Sequence, residues 1–138
     1  MKREKSCGTI PFTIINGRVH YLMIRVRGIC GFPKGHVEGD ETEIETALRE
    51  TWEETSIRPT ILPRFKRTLT YTMGGGVRKT VVYFLGQYVN QTPHSNPGFE
   101  HFDYLLLPFE EAYTALSFAS MKSVLVEANA YICQTVHF

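Results

Sequence analysis

The stretch Gly35-His36-Val37-Glu38-Gly39-Asp40-Glu41-Thr42-Glu43-Ile44-Glu45-Thr46-Ala47-Leu48-Arg49-Glu50-Thr51-Trp52-Glu53-Glu54-Thr55-Ser56-Ile57 decides how this chain is read. Between Glu38 and Glu54 it carries eight of the fourteen carboxylates in the whole sequence. Thr42 to Thr55 contains no Gly or Pro, and Ile44, Leu48, Thr51 and Thr55 recur at intervals of three or four, so the spacing predicts a helix with one buried stripe. At about 100° per residue, Glu50, Glu53 and Glu54 share an arc of roughly 100° on the side away from that stripe. Like charges four apart, as at Glu50 and Glu54, cost an isolated helix a few tenths of a kcal/mol. A bound cation would reverse the sign of that term. Three convergent carboxylates without sulfur or imidazole suit Mg²⁺, or Mn²⁺, better than zinc. The plain alternative for any Glu-rich helix is a solvated acidic face. Here, however, Pro33-Lys34-Gly35-His36 precedes the helix and reads as a turn whose Gly carbonyl and cationic side chains can complete a metal and phosphate site.

The rest of the chain bounds the setting. Its 138 residues suffice for one domain spanning 1–138 that buries most of its apolar surface without staples. Cys7, Cys30 and Cys133 fit neither a paired framework nor a metal motif, which points to a reducing compartment. The basic Met1 to Lys5 is followed by an apolar run broken at Thr9, Pro11 and Asn16-Gly17, so no signal peptide or membrane span is expected. The expectation is therefore a soluble cytoplasmic monomer. A net charge of +1 argues against a general nucleic-acid binder. Lys34, Arg64, Lys66, Arg67, Arg78 and Lys79 lie around or after the acidic segment, the distribution a polyphosphate substrate would need.

Cys7 to Ile15 and Val19 to Val26 are β-branched and aromatic runs joined at Asn16-Gly17, a strong hairpin signal. Thr60 to Thr72 and Lys79 to Val89, separated by Gly74-Gly75-Gly76, predict a second antiparallel pair. Asn90 to Gly98 has two prolines and no apolar side chain, and is expected to be an exposed, mobile loop. Glu100 to Leu107 reads as a last strand and Pro108 opens a short helix. From about Ala119 to Thr135, Met121, Val124, Leu125, Ala128 and Ile132 form the stripe of a second one. Hairpin, helix, hairpin, strand and terminal helices imply an α+β layer structure with a mixed sheet between helices.

Gly35, Glu41, Arg49-Glu50, Glu53-Glu54 and Ser56-Ile57 stand at the spacing of the Nudix box, and the chain is identified as resembling that family of hydrolases. Ser56 departs from the box glycine. Helices often end on a residue with positive φ, which costs Ser on the order of 1 kcal/mol. Thr51 departs from a bulky apolar position. Within the family, Phe32 to Glu38, Ala47 to Thr51 and the segments Phe65 to Tyr71 and Lys79 to Leu85 resemble the animal asymmetrical diadenosine tetraphosphate hydrolases, which share that Thr. Cys30, standing about where those relatives carry a Trp, and Gly39-Asp40 in place of their Pro-Gly depart from the pattern.

The resemblance implies an α/β/α sandwich and Mg²⁺-dependent cleavage of a dinucleoside tetraphosphate to ATP and AMP. It implies that Glu53, Glu54, the Gly35 carbonyl and Glu100 hold metal, and that Glu50 holds metal or orients the attacking water. Glu50 and Glu54 are thus the expected catalytic pair. Lys79, Lys34 and His36 would meet phosphate, while Tyr83 and Phe118 would clamp a base. Each has a plain rival: Tyr83 as core, Phe118 as a helix staple, His36 as a surface histidine, Glu100 as a solvated loop acid, Lys79 as an edge-strand charge. Arg49, one turn from Glu53, is placed to orient a carboxylate, and Glu41 reads as structural. Rival activities are removal of pyrophosphate from RNA 5′ ends, hydrolysis of diphosphoinositol polyphosphates, and nucleotide binding without turnover.

Overall fold

In a computed structural model that describes residues 2–138, seven strands form one mixed sheet with helices on both faces. The strands are β1 (Lys2–Ile15), β2 (Arg18–Val26), β3 (Ile29–Gly31), β4 (Lys34–His36), β5 (Thr60–Met73), β6 (Val77–Gln87) and β7 (Asp103–Pro108). The helices are α1 (Glu43–Thr55), α2 (Phe109–Ala115) and α3 (Ala119–Thr135). None of the described helices is long and apolar enough to cross a membrane.

The β1–β2 hairpin turns at Asn16 (φ 51°) and Gly17 (φ 76°), the two positive-φ positions that an Asn-Gly turn supplies. β1 runs parallel to β6, which pairs antiparallel with the edge strand β5. Along its other edge β1 divides its partners, with Ser6 to Gly8 pairing β4 and Phe12 to Ile15 pairing β2. The sheet opens between them. Pro33-Lys34-Gly35-His36, expected as a turn, instead contributes the three-residue strand β4, because Gly8 lets the chain approach: a Cβ there would overlap the Pro33 carbonyl.

Strand alternation sorts the core into two layers. Ile10, Phe12, Val81, Tyr83 and Leu85 face α2 and α3, where Met121, Val124, Leu125, Ala128 and Ile132 are all buried, the stripe expected for α3. Cys7, Val82 and Phe84 face α1 and pack on Ala47. The stripe of α1 differs from the expected one. Ile44 is 41% exposed, and Thr46, Ala47, Thr51 and Thr55 are the buried positions. Small side chains bring the helix close to the sheet, and the threonine hydroxyls are satisfied locally: Thr51 Oγ1 meets Thr9 Oγ1 at 2.7 Å and donates to the Ala47 carbonyl at 2.7 Å. Hydrogen bonding of that kind lets polar residues occupy a buried seam.

The 90–98 segment is largely exposed, as expected, but is tied down rather than free. Asn96 is buried, the His94 N–H donates to the Thr55 carbonyl, and Gln91 brackets the backbone of Arg58. Lack of apolar side chains did not leave this loop free, because its polar side chains satisfy the end of α1.

Candidate active site

A capping box starts α1: Thr42 Oγ1 accepts from the Glu45 N–H at 3.1 Å and the Glu45 carboxylate accepts from the Thr42 N–H at 2.8 Å. Ser56 ends it in the left-handed region (φ 63°). There its hydroxyl meets His94 Nδ1 at 3.1 Å and the His94 carbonyl at 3.0 Å. Replacing Ser56 by Gly would relieve about 1 kcal/mol of backbone strain and remove exposed hydrogen bonds of similar total worth. Thermal denaturation is expected to place Ser56→Gly within about 1 kcal/mol of wild type.

Between these caps, Arg49 organises the acidic face. Its Nε and Nη2 donate to Glu41 at 2.6 and 3.1 Å, and its Nη1 reaches Glu50 at 2.8 Å and Glu53 at 3.1 Å. Nη2 also donates to the His36 carbonyl at 3.0 Å, tying α1 to β4. Glu41 accepts from the Glu38 N–H and from Thr46 Oγ1 as well, so the hydrogen bonds from Arg49 first, and those others next, hold its carboxyl well below the usual range, at about 2. Glu41 is thus a structural acid, as expected. Lys at position 49 cannot reproduce this fork. Arg49→Lys is expected to destabilise the fold by about 1–3 kcal/mol and to lower activity about 10- to 100-fold, read by denaturant melts and steady-state rates.

Glu50 leans onto β4. A Cβ at Gly35 would fall inside its carboxylate, so the absence of a side chain at Gly35 is what lets Glu50 lie there. Glu54, one turn on, is half-buried and accepts the Lys34 N–H at 3.3 Å. Burial, and then the negative charge of Glu50, push the Glu54 carboxyl up to about 8. Across from it, burial, and then the neighbouring Lys79, lower the pKa of the Lys34 ammonium against the pull of Glu54. Two acids and two lysines thus face one another at the opening between β2 and β4.

That opening leads into a cavity of about 760 Å³ on the α3 face of the sheet. Glu54, Lys34 and Glu100 are its charged lining, and Tyr83, Tyr71, Phe102 and Phe118 its exposed or walling aromatics. Tyr83 is only 3% exposed and belongs to the core cluster while forming cavity wall; burial raises the pKa of its hydroxyl. Phe118 is 55% exposed at the N-terminus of α3. It is held there because Ser117 and Cys30 exchange two bonds, Cys30 N–H to Ser117 Oγ at 2.8 Å and Ser117 N–H to the Cys30 carbonyl at 3.2 Å.

The structure therefore brings Lys34, Glu54, Tyr83, Glu100 and Phe118 to one cavity, while Gly35, Glu50 and Glu53 lie outside its lining, Gly35 against the Glu50 carboxylate and Glu53 on Arg49. It does not bring His36 there: that side chain is exposed and lies 3.8 Å from Glu4. Lys79 lies outside the lining, beside Lys34. Tyr71 and Phe102 were not singled out from sequence. Tyr71 pairs with Lys79 across β5 and β6 and so shares its face, a register only the strand pairing fixes, whereas Phe102 stands two residues from Glu100, a proximity that was available as a signal.

Among the described residues no group of three or more His, Cys, Asp or Glu side chains is gathered as a metal site, and Glu50 and Glu53 are held by Arg49. The donor set nevertheless fits a hard divalent cation. It is all oxygen, and the repulsion between Glu50 and the half-buried Glu54 is what a cation would offset.

The NUDIX domain profile matches residues 9–127. The mouse asymmetrical bis(5′-nucleosyl)-tetraphosphatase is 35% identical over 95% of this chain and 97% of its own length, and the pig protein of the same name is 33% identical over 94% and 95%. The crystal structure of a C. elegans Ap4A hydrolase binary complex, at 28% identity, superposes with a TM-score of 0.86 over 95% of this chain and 98% of that one. A domain match over most of its length, together with near-full-length relatives at a third identity, places this chain in the NUDIX domain family.

Proposed function

We propose that the protein hydrolyses diadenosine tetraphosphate asymmetrically, to ATP and AMP, with Mg²⁺ as the working ion and Mn²⁺ as a substitute. The observation that carries this reading is one cavity lined by Glu54, Glu100 and Lys34 together with five aromatic rings, Phe32, Tyr71, Tyr83, Phe102 and Phe118. Near-full-length relatives named for this activity support it. Nudix hydrolases generally use divalent metal ions.

Glu53, Glu54, Glu100 and the Gly35 carbonyl would hold the ion, with Glu50 beside them. When bound, it would neutralise non-bridging oxygens and acidify a water. The chain's own groups do the rest. Lys34 and Lys79 hold the polyphosphate, while His36, by its exposed position, contributes at most to an outer phosphate. A water oxygen attacks one phosphorus, the anhydride P–O bond breaks, and the water proton passes to a carboxylate of the Glu50/Glu54 pair. Tyr83 and Phe118 enclose one adenine, a contact worth about 1–3 kcal/mol that asks little of base identity.

The protein acts as a monomer on a small nucleotide in the cytoplasm, where its three unpaired thiols are suited to a reducing environment. Rates with diadenosine tetraphosphate, 5′-triphosphorylated RNA and a diphosphoinositol polyphosphate, each with Mg²⁺ and with chelator, test the assignment. The dinucleotide is expected to be turned over fastest, and only with metal. Preference for the RNA or the inositol compound would overturn it.

A further inference from the structure

An α-helix leaves its last four carbonyls without partners inside the helix. In α1 the Trp52 carbonyl accepts the Ser56 N–H at 2.8 Å, and those of Glu53, Glu54 and Thr55 find no donor within the helix, so the helix end carrying two of the site's acids also carries the negative pole of the helix dipole. No basic residue stands in this last turn. The segment between Asn90 and Tyr104 supplies the missing donors. Asn96 Nδ2 donates to the Trp52 carbonyl at 2.7 Å and to the Glu53 carbonyl at 3.2 Å. Tyr104 Oη donates to the Glu54 carbonyl at 2.7 Å, and Ser95 Oγ lies 3.1 Å from that hydroxyl. The His94 N–H closes the set on Thr55 at 2.9 Å.

Glu100 lies on the chain between Asn96 and Tyr104 and lines the cavity that Glu54 lines. Its own side chain is exposed, with no ion pair among the described residues. What fixes its place is the pair of anchors on either side. Asn96 is 8% exposed and Tyr104 packs against Leu22, Ile57 and Tyr88, so both are rigid supports.

We propose that Asn96 and Tyr104 are positioning residues for the active site. By holding the backbone of Glu53 and Glu54 on one side and the Glu100 segment on the other, they set the separation of the carboxylates across the cavity mouth. The inference rests on the reading of Glu54 and Glu100 as two sides of one metal site. It concerns residues that touch neither nucleotide nor reacting atoms.

Mn²⁺ binding to the full-length protein without nucleotide, followed by electron paramagnetic resonance, tests it apart from turnover. Tyr104→Phe removes only the hydroxyl, and Asn96→Ser shortens the donor beyond reach. Each is expected to raise the apparent Kd for Mn²⁺ about ten-fold or more. Each should lower kcat by a similar factor and leave KM close to wild type. Gln91→Ala is the control, since Gln91 ties the same segment to Arg58 and not to the glutamate carbonyls. It should bind Mn²⁺ as wild type does. Wild-type Mn²⁺ affinity in folded Tyr104→Phe, or an equal weakening by Gln91→Ala, would overturn the proposal. If Asn96→Ser fails to fold, Tyr104→Phe alone decides. Weakened Mn²⁺ binding in a protein that does not cleave the dinucleotide would uphold the positioning role and reject the proposed substrate.

Discussion

Replacing Glu54 by Gln is expected to lower turnover about 10²- to 10⁴-fold, and at the same time to make the metal-free protein more stable at alkaline pH. The activity loss follows from removing one oxygen charge from a pair that must hold a cation and accept a proton. The stability gain follows from linkage. In the fold, the Glu54 carboxyl titrates at about 8 against an ordinary 4.5. Between those values the folded protein keeps a proton that the unfolded chain has lost. Stability conferred by that proton is complete below about 4.5 and disappears as pH rises through about 8. Melting temperatures in chelator should therefore fall over this range in wild type, and Glu54→Gln should abolish that part of the fall. Added Mg²⁺ should raise the wild-type melting temperature more above pH 8 than below pH 6, because at lower pH the ion must displace a proton. A variant with normal turnover would remove Glu54 from the chemistry altogether.

Gly35→Ala is the second change with a large expected effect. Gly35 is not strained, since its φ is not in the left-handed region, so the cost is one of space. The new methyl would occupy the volume of the Glu50 carboxylate. Glu50 cannot simply swing away, because Arg49 Nη1 holds it at 2.8 Å while the same guanidinium holds Glu41 and the His36 carbonyl. Either β4 shifts from β1 or the Arg49 network rearranges. Overpacking of this kind costs about 1–3 kcal/mol. A displacement of roughly 1 Å at the site is enough to lose about 10²-fold in rate. Denaturant melts and kcat should both respond. A loss of rate without loss of stability would mean that the network yields and only Glu50 moves.

Much of this site was legible in the sequence because the spacing of α1 is itself the chemistry. Gly35, Glu41, Arg49, Glu50, Glu53 and Glu54 are placed by helix geometry and one short strand, and Arg49 bridges carboxylates as its position one turn from Glu53 suggested. The hairpin at Asn16-Gly17 and the stripe of α3 were equally local. The sequence was less informative where placement depends on partners far along the chain. Ile44 looks like core on a helical wheel, yet close approach of α1 to the sheet selects the smaller Thr46, Ala47, Thr51 and Thr55. The 90–98 segment looks mobile because its side chains are polar, but those side chains are what satisfies the end of α1. His36 sits beside Gly35 in sequence and two residues from Lys34, but its side chain lies beyond the cavity lining, 3.8 Å from Glu4. Tyr71 joins the cavity through its register with Lys79, which pairing between β5 and β6 alone determines.

The most direct test of the central claim is product analysis after incubation with diadenosine tetraphosphate and Mg²⁺ in isotopically labelled water. Equal amounts of ATP and AMP, abolished by chelation and with the label in one product only, are the predicted result. Two molecules of ADP, or an uncleaved dinucleotide, would contradict it.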